Sequence, residues 1–315
     1  MSILVELHHA TRYTYDHPVG LGPQVVRLRP APHCRTRIAS YALAVAPSRH
    51  FVNWQQDPYG NWLARFLFPE LVSEFAIDVD LLADMEAINP FDFFVESYAE
   101  EWPFAFPPEL HEDLAAFLAT EPAGPRLQEL AQSISRAPQS TVGFLVELNR
   151  RVKGMIRYVV RLESGVQTPE ETLASGVGSC RDSAWVMVQL LRHIGLPARF
   201  VSGYLIQLRS DTKPRDGRAE VARDMAELHA WTEVFLPGAG WIGLDTTSGL
   251  LCTEGHLPLA ASPHFRSVAP ITGTVAPSEV EFFHDISVKR VPQAADGPPA
   301  GATASAHYDA GGIMK

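Results

Sequence analysis

The segment from Cys180 to about His193 restricts the fold more than any other part of the sequence. It has the length of a helix, and its apolar residues fall on nearly every side of that helix: they are Ala184, Trp185, Val186, Met187, Val188, Leu190 and Leu191. A helix that is apolar all round must be buried, whereas a surface helix carries a single apolar stripe. Gly195 and Pro197 end the helical pattern. The sequence therefore predicts a domain built around a central helix that begins at Cys180.

The cysteine content indicates the cellular setting. The chain has 315 residues and 3 cysteines, and an odd number in so long a chain cannot form the disulfide framework of a small secreted protein. The N-terminus lacks a basic segment followed by an apolar one, so no secretory signal is predicted. We therefore expect a protein of the reducing cytoplasm, in which Cys34 and Cys252 are inert core residues.

Charge and hydropathy exclude two classes of partner. The chain carries 26 Lys and Arg against 36 Asp and Glu, a formal net charge of -10, whereas a surface that binds nucleic acid is basic. No apolar run approaches the ~18 residues that a membrane span needs. We expect neither a nucleic acid nor a membrane as partner, and nothing in the sequence indicates an oligomeric state.

Residues 1–88 have the pattern of a β-rich domain. Short runs of aromatic and β-branched residues recur at intervals of about 8–12 residues. The turn residues Asp57 to Asn61 separate two of these runs, and residues 75–81 alternate between apolar and polar side chains. This pattern predicts a small antiparallel β-sandwich.

The composition changes after residue 88. Residues 89–107 are dense in proline and aromatic residues and are interpreted as a connector that packs against the body of the protein. A mixed α and β domain is predicted over 108–291, with its first helical patterns at 108–119, 126–135 and 141–153. Residues 292–315 are rich in Ala, Gly and Pro and are predicted to form a flexible tail.

The later part of the second domain reads as strands. Residues 198–208 have a strand pattern, and 209–223 form a charged surface loop. We expect loops such as 209–226 to shape the substrate cleft. His229–Leu236 and Trp241–Asp245 predict a β-hairpin across residues 237–240, and 279–291 predict one or two further strands.

Cys180, His229 and Asp245 form the constellation with the clearest chemistry. A helix N-terminus favours the thiolate form of cysteine, which is the nucleophile. A histidine on a strand can activate that thiol, and a carboxylate on the partner strand can fix the tautomer of the imidazole. The parity of the hairpin predicts that His229 and Asp245 share a face. For the two to lie directly opposite, Glu233 must pair with Trp241 around a centre at Pro237.

Four ordered blocks of sequence carry a family resemblance. They are Gly176–Trp185 (GVGSCRDSAW), Leu196–Tyr204 (LPARFVSGY), His229–Val234 (HAWTEV) and Gly240–Asp245 (GWIGLD). Together they resemble the bacterial transglutaminase-like superfamily. Tyr13–Tyr15 and Arg27–Pro30 resemble the β-rich domain that precedes the core in many members. One difference is that Asp245 is followed by two threonines, where the family often has Asp-Pro-Thr.

The resemblance implies both a fold and an activity. It implies an α+β protein, in which the N-terminal β-sandwich is followed by a papain-like transglutaminase core. It assigns Cys180 as nucleophile, His229 as base and Asp245 as the residue that orients the base. It also implies acyl chemistry on a peptide or protein amide through a thioester, released to water or to an amine. Relatives are often encoded beside ATP-grasp and proteasome-like proteins, which suggests a peptide-modifying pathway.

Such chemistry needs an oxyanion hole. The backbone N–H of Cys180 is the first candidate donor. The second donor stays open, with Tyr158 and Trp241 as candidates. Trp231 is interpreted as core or as a wall of the cleft.

Other residues have simpler interpretations. His8, His9, His256, His264 and His284 show no metal-ligand spacing, so we expect no metal site and no cofactor. Asp182 lies in the first turn of the Cys180 helix, where a carboxylate suits the helix dipole, and is interpreted as a cap.

We therefore expect a cysteine peptidase or amidase of the transglutaminase-like type. Transfer of the acyl group to an amine is slightly less favoured, because nothing in the chain marks a site for an amine acceptor. The alternative of another class is a catalytically silent peptide-binding or scaffold protein on the same fold. An intact set of Cys, His and Asp argues against that alternative.

Overall fold

The structure is a computed structural model that describes residues 2–161, 163–209 and 221–292. Most of the predicted 209–223 loop lies outside the described residues, as does the predicted tail after Pro292. The strands, numbered in chain order, are β1 (Ile3–Val19), β2 (Gln24–Val26), β3 (Arg37–Ala46), β4 (Phe51–Gln56), β5 (Trp62–Leu67), β6 (Val72–Met85), β7 (Glu101–Trp102), β8 (Gln139–Ser140), β9 (Arg157–Tyr158), β10 (Val177–Gly178), β11 (Ala198–Gln207), β12 (Met225–Leu236), β13 (Gly240–Asp245), β14 (Leu250–Leu251), β15 (His256–Ser262), β16 (Ile271–Thr272) and β17 (Val280–Arg290).

The helices are few and mostly short. They are α1 (Pro108–Asp113), α2 (Ala115–Leu118), α3 (Pro125–Gln132), α4 (Thr141–Met155), α5 (Pro169–Ser175) and α6 (Cys180–His193), with 3₁₀ turns at Ser97–Ala99 and Phe265–Val268. The predicted helix over 108–119 is broken in two at Leu114. The pattern of residues did not predict α5, which begins with a capping box between Thr168 and Glu171.

Two antiparallel sheets form the N-terminal sandwich. Their strand orders are β17-β1-β6-β3 and β16-β2-β5-β4. Apolar side chains from both sheets fill the space between them, and the alternating residues Phe75, Ile77, Val79 and Leu81 of β6 are all buried. The predicted sandwich is confirmed, but its principal strands are longer than expected, since β1 has 17 residues and β6 has 14.

The sandwich includes strands from the end of the chain. β17 pairs with β1 along eleven residues, from Val5 opposite Arg290 to Tyr15 opposite Val280, and β16 pairs with β2. The sequence interpretation assigned residues 108–291 to the second domain, so for β16 and β17 that assignment is corrected. Periodicity reports that a segment is a strand, but not which distant strand it pairs with.

The core domain is built on a five-stranded sheet with the order β14-β13-β12-β11-β15. As predicted, α6 is buried on nearly all sides, with Ala184, Trp185 and Leu191 at most 1% exposed. It packs on β11 and β12, where the Thr232 hydroxyl donates to the Ala184 carbonyl at 2.8 Å. This packing fixes the start of α6, and therefore Cys180, relative to the sheet.

The sandwich covers part of the same sheet from another side. Tyr204 and Ile206 of β11, and Leu257 and Leu259 of β15, belong to the apolar cluster that fills the sandwich. The turn before β15 is also tied to the N-terminal region, because Thr36 Oγ1 donates to the Glu254 carbonyl at 2.7 Å. The two regions therefore share an apolar interior.

The β12–β13 hairpin has a different register from the predicted one. Phe235, not Glu233, lies opposite Trp241, and Leu236 lies opposite Gly240. Gly238 and Gly240 both adopt positive φ angles, which glycine tolerates best, so the turn closes around residue 238 rather than 237. The shift is two residues, so the parity is unchanged and His229 still shares a face with Asp245.

No helix among the described residues is long and apolar enough to cross a membrane.

Candidate active site

Ser179 and Asp182 fix the start of α6. Asp182 Oδ2 accepts hydrogen bonds from the Ser179 N–H and hydroxyl, both at 2.8 Å, and Oδ1 accepts from the Gln167 N–H at 2.8 Å. Arg161 pairs with the same carboxylate at 2.8 Å. Burial disfavours the charged form, but these partners outweigh it and lower the pKa of Asp182. The carboxylate therefore has the capping position that the sequence predicts.

Cys180 is the first residue of α6 and is half-buried at the rim of the core. The strand β10 leads into it and pairs in parallel with β9, so that Gly178 lies opposite Tyr158. The thiol is next to His229, because it is one of the groups that raise the pKa of that imidazole. A thiol at a fixed helix start and an imidazole on a strand are thus brought together.

His229 lies on β12, opposite Gly203 of β11. A β-carbon at Gly203 would overlap the Leu257 carbonyl oxygen and the Trp231 ring, so this position requires glycine. The Trp231 ring can therefore lie flat on β11, where it stacks at 6.4 Å and 27° from the imidazole of His229. The imidazole is held on a buried surface and is only 1% exposed.

Asp245 lies at the end of β13 and faces the imidazole. His229 Nε2 donates to Asp245 Oδ1 at 3.2 Å, since a carboxylate only accepts. The Thr247 N–H donates to Oδ1 at 2.9 Å, and the Ser248 hydroxyl donates to Oδ2 at 2.8 Å. The carboxylate is 3% exposed and is held from three directions.

Charge and burial act in opposite directions at this pair. Burial disfavours protonated His229, but Asp245 and Cys180 outweigh it and raise its pKa to about 10. Burial also disfavours ionised Asp245, but the hydrogen bond from His229 and the nearby ring of His256 outweigh it and hold its pKa well below the usual range. The surroundings of His229 therefore favour its protonated form.

The other two cysteines lie in different surroundings. Burial raises the pKa of Cys34 to about 11 and that of Cys252 well above its ordinary value. Cys252 packs in a small apolar cluster with Val201, Trp231 and Ala261. Both thiols are therefore neutral at physiological pH, as expected of inert core residues.

The candidate oxyanion and cleft residues lie in three different places. Tyr158 is near the site, since burial and then the charges of Glu227, Cys180 and Asp245 raise its pKa to about 12. Its hydroxyl therefore keeps its proton and can donate it. Trp231 is fully buried under the histidine and lines no open cleft.

Trp241 lies at the other end of β13 and does not fit the oxyanion role. It packs on Phe117 with ring centroids at 4.8 Å and on the Arg199 guanidinium at 4.3 Å. Four residues of strand separate it from Asp245, roughly 13 Å at 3.4 Å per residue. The expected hairpin register would pair Trp241 with Glu233, two residues nearer to His229 than its observed partner Phe235. Even in that register, Trp241 would be too far along the strand to contact Asp245.

Two residues of the site were not identified from the sequence. The sequence analysis gives His256 no role in the site, but its Nε2 lies 3.6 Å from Asp245 Oδ2. Glu227, two residues before His229, has Oε1 at 3.9 Å from His229 Nδ1. Glu227 could have been found from its spacing, because residues i and i+2 share a face of a strand. His256 could not, since it is on another strand.

His229, Asp245 and His256 also meet a geometric condition for a metal site. One potential ligand atom from each lies within 4.8 Å of the others. The sequence spacing predicts no metal, and the hydrogen bonds of His256, considered below, oppose one.

Comparison with known proteins places both regions in families. Residues 5–84 match the family described as the bacterial transglutaminase-like N-terminal region, and residues 128–246 match the transglutaminase-like superfamily. Rv2569c of Mycobacterium tuberculosis is 25% identical over 292 residues, which are 90% of this chain and 91% of the relative. YebA of Bacillus subtilis is 36% identical over 74 residues, 23% of this chain and 10% of that protein.

A solved structure has the same overall fold. It is the crystal structure of a candidate cysteine protease from Cytophaga hutchinsonii, with a TM-score of 0.66 and 15% identity over 94% of this chain and 93% of that one. At this identity the likeness concerns the fold alone. The fold is a mixed α and β one, with N-terminal antiparallel sheets and a papain-like core.

Proposed function

Because this chain belongs to the transglutaminase-like superfamily, we propose that it is a cysteine-dependent enzyme acting on peptide or protein amides through a thioester. Cys180 is the nucleophile, His229 is the general base and acid, and Asp245 orients His229. The observation that supports this most is the burial of His229 between the Asp245 carboxylate and the Cys180 thiol.

The raised pKa of His229 supports an ion pair in the resting enzyme. In this mechanism an imidazolium next to Cys180 stabilises the attacking thiolate and holds the proton that the leaving group will need. Asp245 contributes by fixing the proton on Nε2, so that Nδ1 is the nitrogen that exchanges protons with sulfur and substrate. No metal is needed for these steps.

The reaction runs in two halves. The Cys180 thiolate attacks the carbonyl carbon of the amide, the C–N bond breaks, and His229 gives its proton to the leaving nitrogen, so that an amine departs and the acyl group stays on sulfur. His229 then takes a proton from water or from a second amine, which attacks the thioester. The products are an acid or a new amide, and Cys180 is restored as a thiolate beside protonated His229.

The oxyanion of each tetrahedral intermediate needs at least two donors. The backbone N–H of Cys180 at the start of α6 supplies the first, and the Tyr158 hydroxyl is the second in this proposal. Support for Tyr158 is its pairing opposite Gly178, two residues before the nucleophile, and its retention of a proton.

Hydrolysis remains the slightly favoured outcome, because nothing in the sequence marks a site for an amine acceptor. A peptide amide incubated with and without a millimolar primary amine separates the two outcomes by the mass of the products. Only hydrolysed product at millimolar amine excludes transfer. An amide of the added amine establishes it.

Alkylation of Cys180 tests the proposal without knowledge of the substrate. With iodoacetamide at pH ~6, we expect rapid labelling of Cys180 and very slow labelling of Cys34 and Cys252, because only a thiolate reacts. His229→Ala should abolish the rapid phase. Equal, slow labelling of all three cysteines would instead favour a peptide-binding protein that has kept the fold.

The proposal places the enzyme in a reducing cytoplasm. All three cysteines are free in the structure, and the nucleophile works only while it stays reduced. Its partner is then a peptide or protein substrate of that compartment. Fusing a redox-sensitive reporter to the chain in its native cell measures this directly.

A further inference from the structure

His256 has an unusual position for a residue outside the proposed catalytic set. It begins β15, opposite Leu205 of β11, and its ring lies 5.3 Å from that of Trp231 and 6.1 Å from that of His229. Its side chain is 9% exposed. The mechanism above gives this buried, titratable ring no role.

The hydrogen bonds of His256 fix where its proton is. The Thr253 N–H donates to Nδ1 at 3.2 Å, so Nδ1 must be an acceptor and carries no proton. The single proton of the ring therefore lies on Nε2. That atom is buried and makes no hydrogen bond with any described residue, and the Asp245 carboxylate is 3.6 Å away. A donor thus points toward Oδ2 slightly beyond hydrogen-bond length.

The hydrogen bond from the Thr253 N–H to His256 Nδ1 also disfavours a metal ion at this cluster. A metal would take the lone pair of Nε2, so the proton of His256 would have to move to Nδ1. Nδ1 would then direct an N–H at the N–H of Thr253. The turn before β15 therefore selects a hydrogen-bond donor at Nε2 rather than a ligand.

We propose that His256 is a positioning residue for the acyl transfer, whose Nε2–H holds Oδ2 of Asp245 while Oδ1 holds His229. The proposal rests on the proposed function. The Ser248 hydroxyl already donates to Oδ2, so two donors on one oxygen and two on the other fix the plane of the carboxylate. Contacts of this kind often shorten when substrate closes an active site.

The groups that face this carboxylate come from several elements. His229 lies on β12 and His256 on β15, with Cys252 between β14 and β15 and Tyr158 on β9. Glu227 of β12 faces His229 rather than Asp245. Any pH measurement on the pair reports on these groups together, and on Cys180 wherever it is present, so a matched control is needed.

His264 provides that control. Its Nδ1 accepts from the Arg266 N–H at 3.2 Å, and its Nε2 lies 3.2 Å from Glu121 Oε1. It has the same arrangement of backbone donor, ring and carboxylate as His256. Its ring, however, packs on Trp185 and Phe265, away from Asp245.

The first test does not depend on activity. In the Cys180→Ala chain, ¹⁵N NMR of labelled histidine should find His256 protonated on Nε2, and the titration of His229 should be followed in His256→Phe, His256→Gln and His264→Phe. If His256 positions Asp245, the proton affinity of His229 falls about tenfold in His256→Phe, which is one pKa unit. His256→Gln, whose amide can donate to Oδ2, should restore it, and His264→Phe should not change it.

Whether the proton affinity of His229 falls or rises in His256→Phe decides whether His256 positions Asp245 or competes for it. If His256 merely competes for the carboxylate, its removal strengthens the bond of Asp245 to His229 and the proton affinity of His229 rises. A rise, no change in a folded variant, or a proton on Nδ1 of His256 would each overturn the proposal.

The second test uses alkylation of Cys180 in the otherwise unaltered chain. His256→Phe should slow the labelling at pH ~6 about tenfold and move its acid limb to higher pH, while His256→Gln and His264→Phe label at close to the wild-type rate. Wild-type labelling in His256→Phe would contradict the positioning role. If wild-type Cys180 itself is not selectively labelled, the proposed function fails, and the titration of His229 still decides the role of His256.

Discussion

Two charge pairs lie on the same face of the β12–β13 hairpin and differ in almost every other respect. Near the turn, the Arg199 side chain donates to Glu233 Oε2 at 2.6 Å and stacks on Trp241. At the other end, His229 and Asp245 meet at 3.2 Å. The buried ring of Trp231 lies on the same face between them.

The two pairs differ in whether a member can gain or lose a proton. Arg199 is always charged, and its guanidinium is bound to Glu233 and stacked on Trp241. The imidazole of His229 can gain or lose its proton, and its Nδ1 has no hydrogen-bond partner by distance and angle among the described residues. The Arg199–Glu233 pair can stabilise the hairpin. Only the His229–Asp245 pair has a titratable nitrogen, Nδ1 of His229, that is available to exchange a proton with a substrate.

The largest effect should come from removing the charge of Asp245. In Asp245→Asn the imidazole loses the anion that keeps it protonated, so alkylation of Cys180 at pH ~6 should slow by on the order of 10³-fold. The same substitution should have only a small effect on the free energy of unfolding. A rate within tenfold of the wild type would remove the distinction between the two pairs.

Breaking the Arg199–Glu233 pair should have the opposite effect, a large loss of stability with little change in the labelling of Cys180. Arg199→Ala leaves the buried Glu233 carboxylate with only His33 nearby, at 4.0 Å, and we expect a loss of ~3 kcal/mol in the free energy of unfolding in urea. Labelling of Cys180 in the folded protein should stay within about twofold. Arg199→Met combined with Glu233→Leu should recover most of the stability, since no charge is then buried. A large fall in labelling would mean that the two pairs are coupled.

Gly203→Ala tests the surface between the pairs. The added methyl group would overlap the Trp231 ring and the Leu257 carbonyl, so the ring under His229 must move, with a loss of ~2 kcal/mol in stability. Gly154→Ala in α4, which meets nothing within 4 Å, is the control and should be neutral or slightly stabilising. Equal stability of the two variants would show that the contact at Gly203 relaxes easily.

A further effect is a dependence of stability on pH. Since the pKa of His229 is raised from 6.5 to about 10 on folding, its contribution is complete below pH 6.5 and is lost as the pH rises through 10. The difference in free energy of unfolding between the wild type and His229→Gln should therefore shrink across this range. Titration of Cys34 and Cys252 cancels because both proteins share it, and making the comparison in the Cys180→Ala background removes the thiol that is coupled to His229. A constant difference would mean that His229 is not protonated in the folded state.

Local patterns in the sequence were sufficient for much of the site. The apolar run after Cys180 predicts a buried helix because burial on all sides is its only stable arrangement, and the parity of the hairpin predicts the shared face of His229 and Asp245. The register was wrong by two residues because two glycines of positive φ move the turn to residue 238. The fold resemblance supplied the rest of the architecture.

Contacts between distant strands were beyond such reasoning. His256 reaches Asp245 only because β15 pairs with β11 on the far side from β12. The pairing of β17 with β1, more than 260 residues apart, is equally invisible to periodicity. Such pairings depend on the free energy of the whole assembled sheet rather than on any segment.

The return of β17 to the first sheet has a consequence for how the protein is made. During synthesis β1, β3 and β6 leave the ribosome early, but the outer side of β1 has no partner until residues 280–290 have been added. Until then the nascent chain presents an open strand edge that can pair with another molecule. The sandwich, although first in the sequence, is therefore among the last parts to be completed, after the domain that carries Cys180 has been translated.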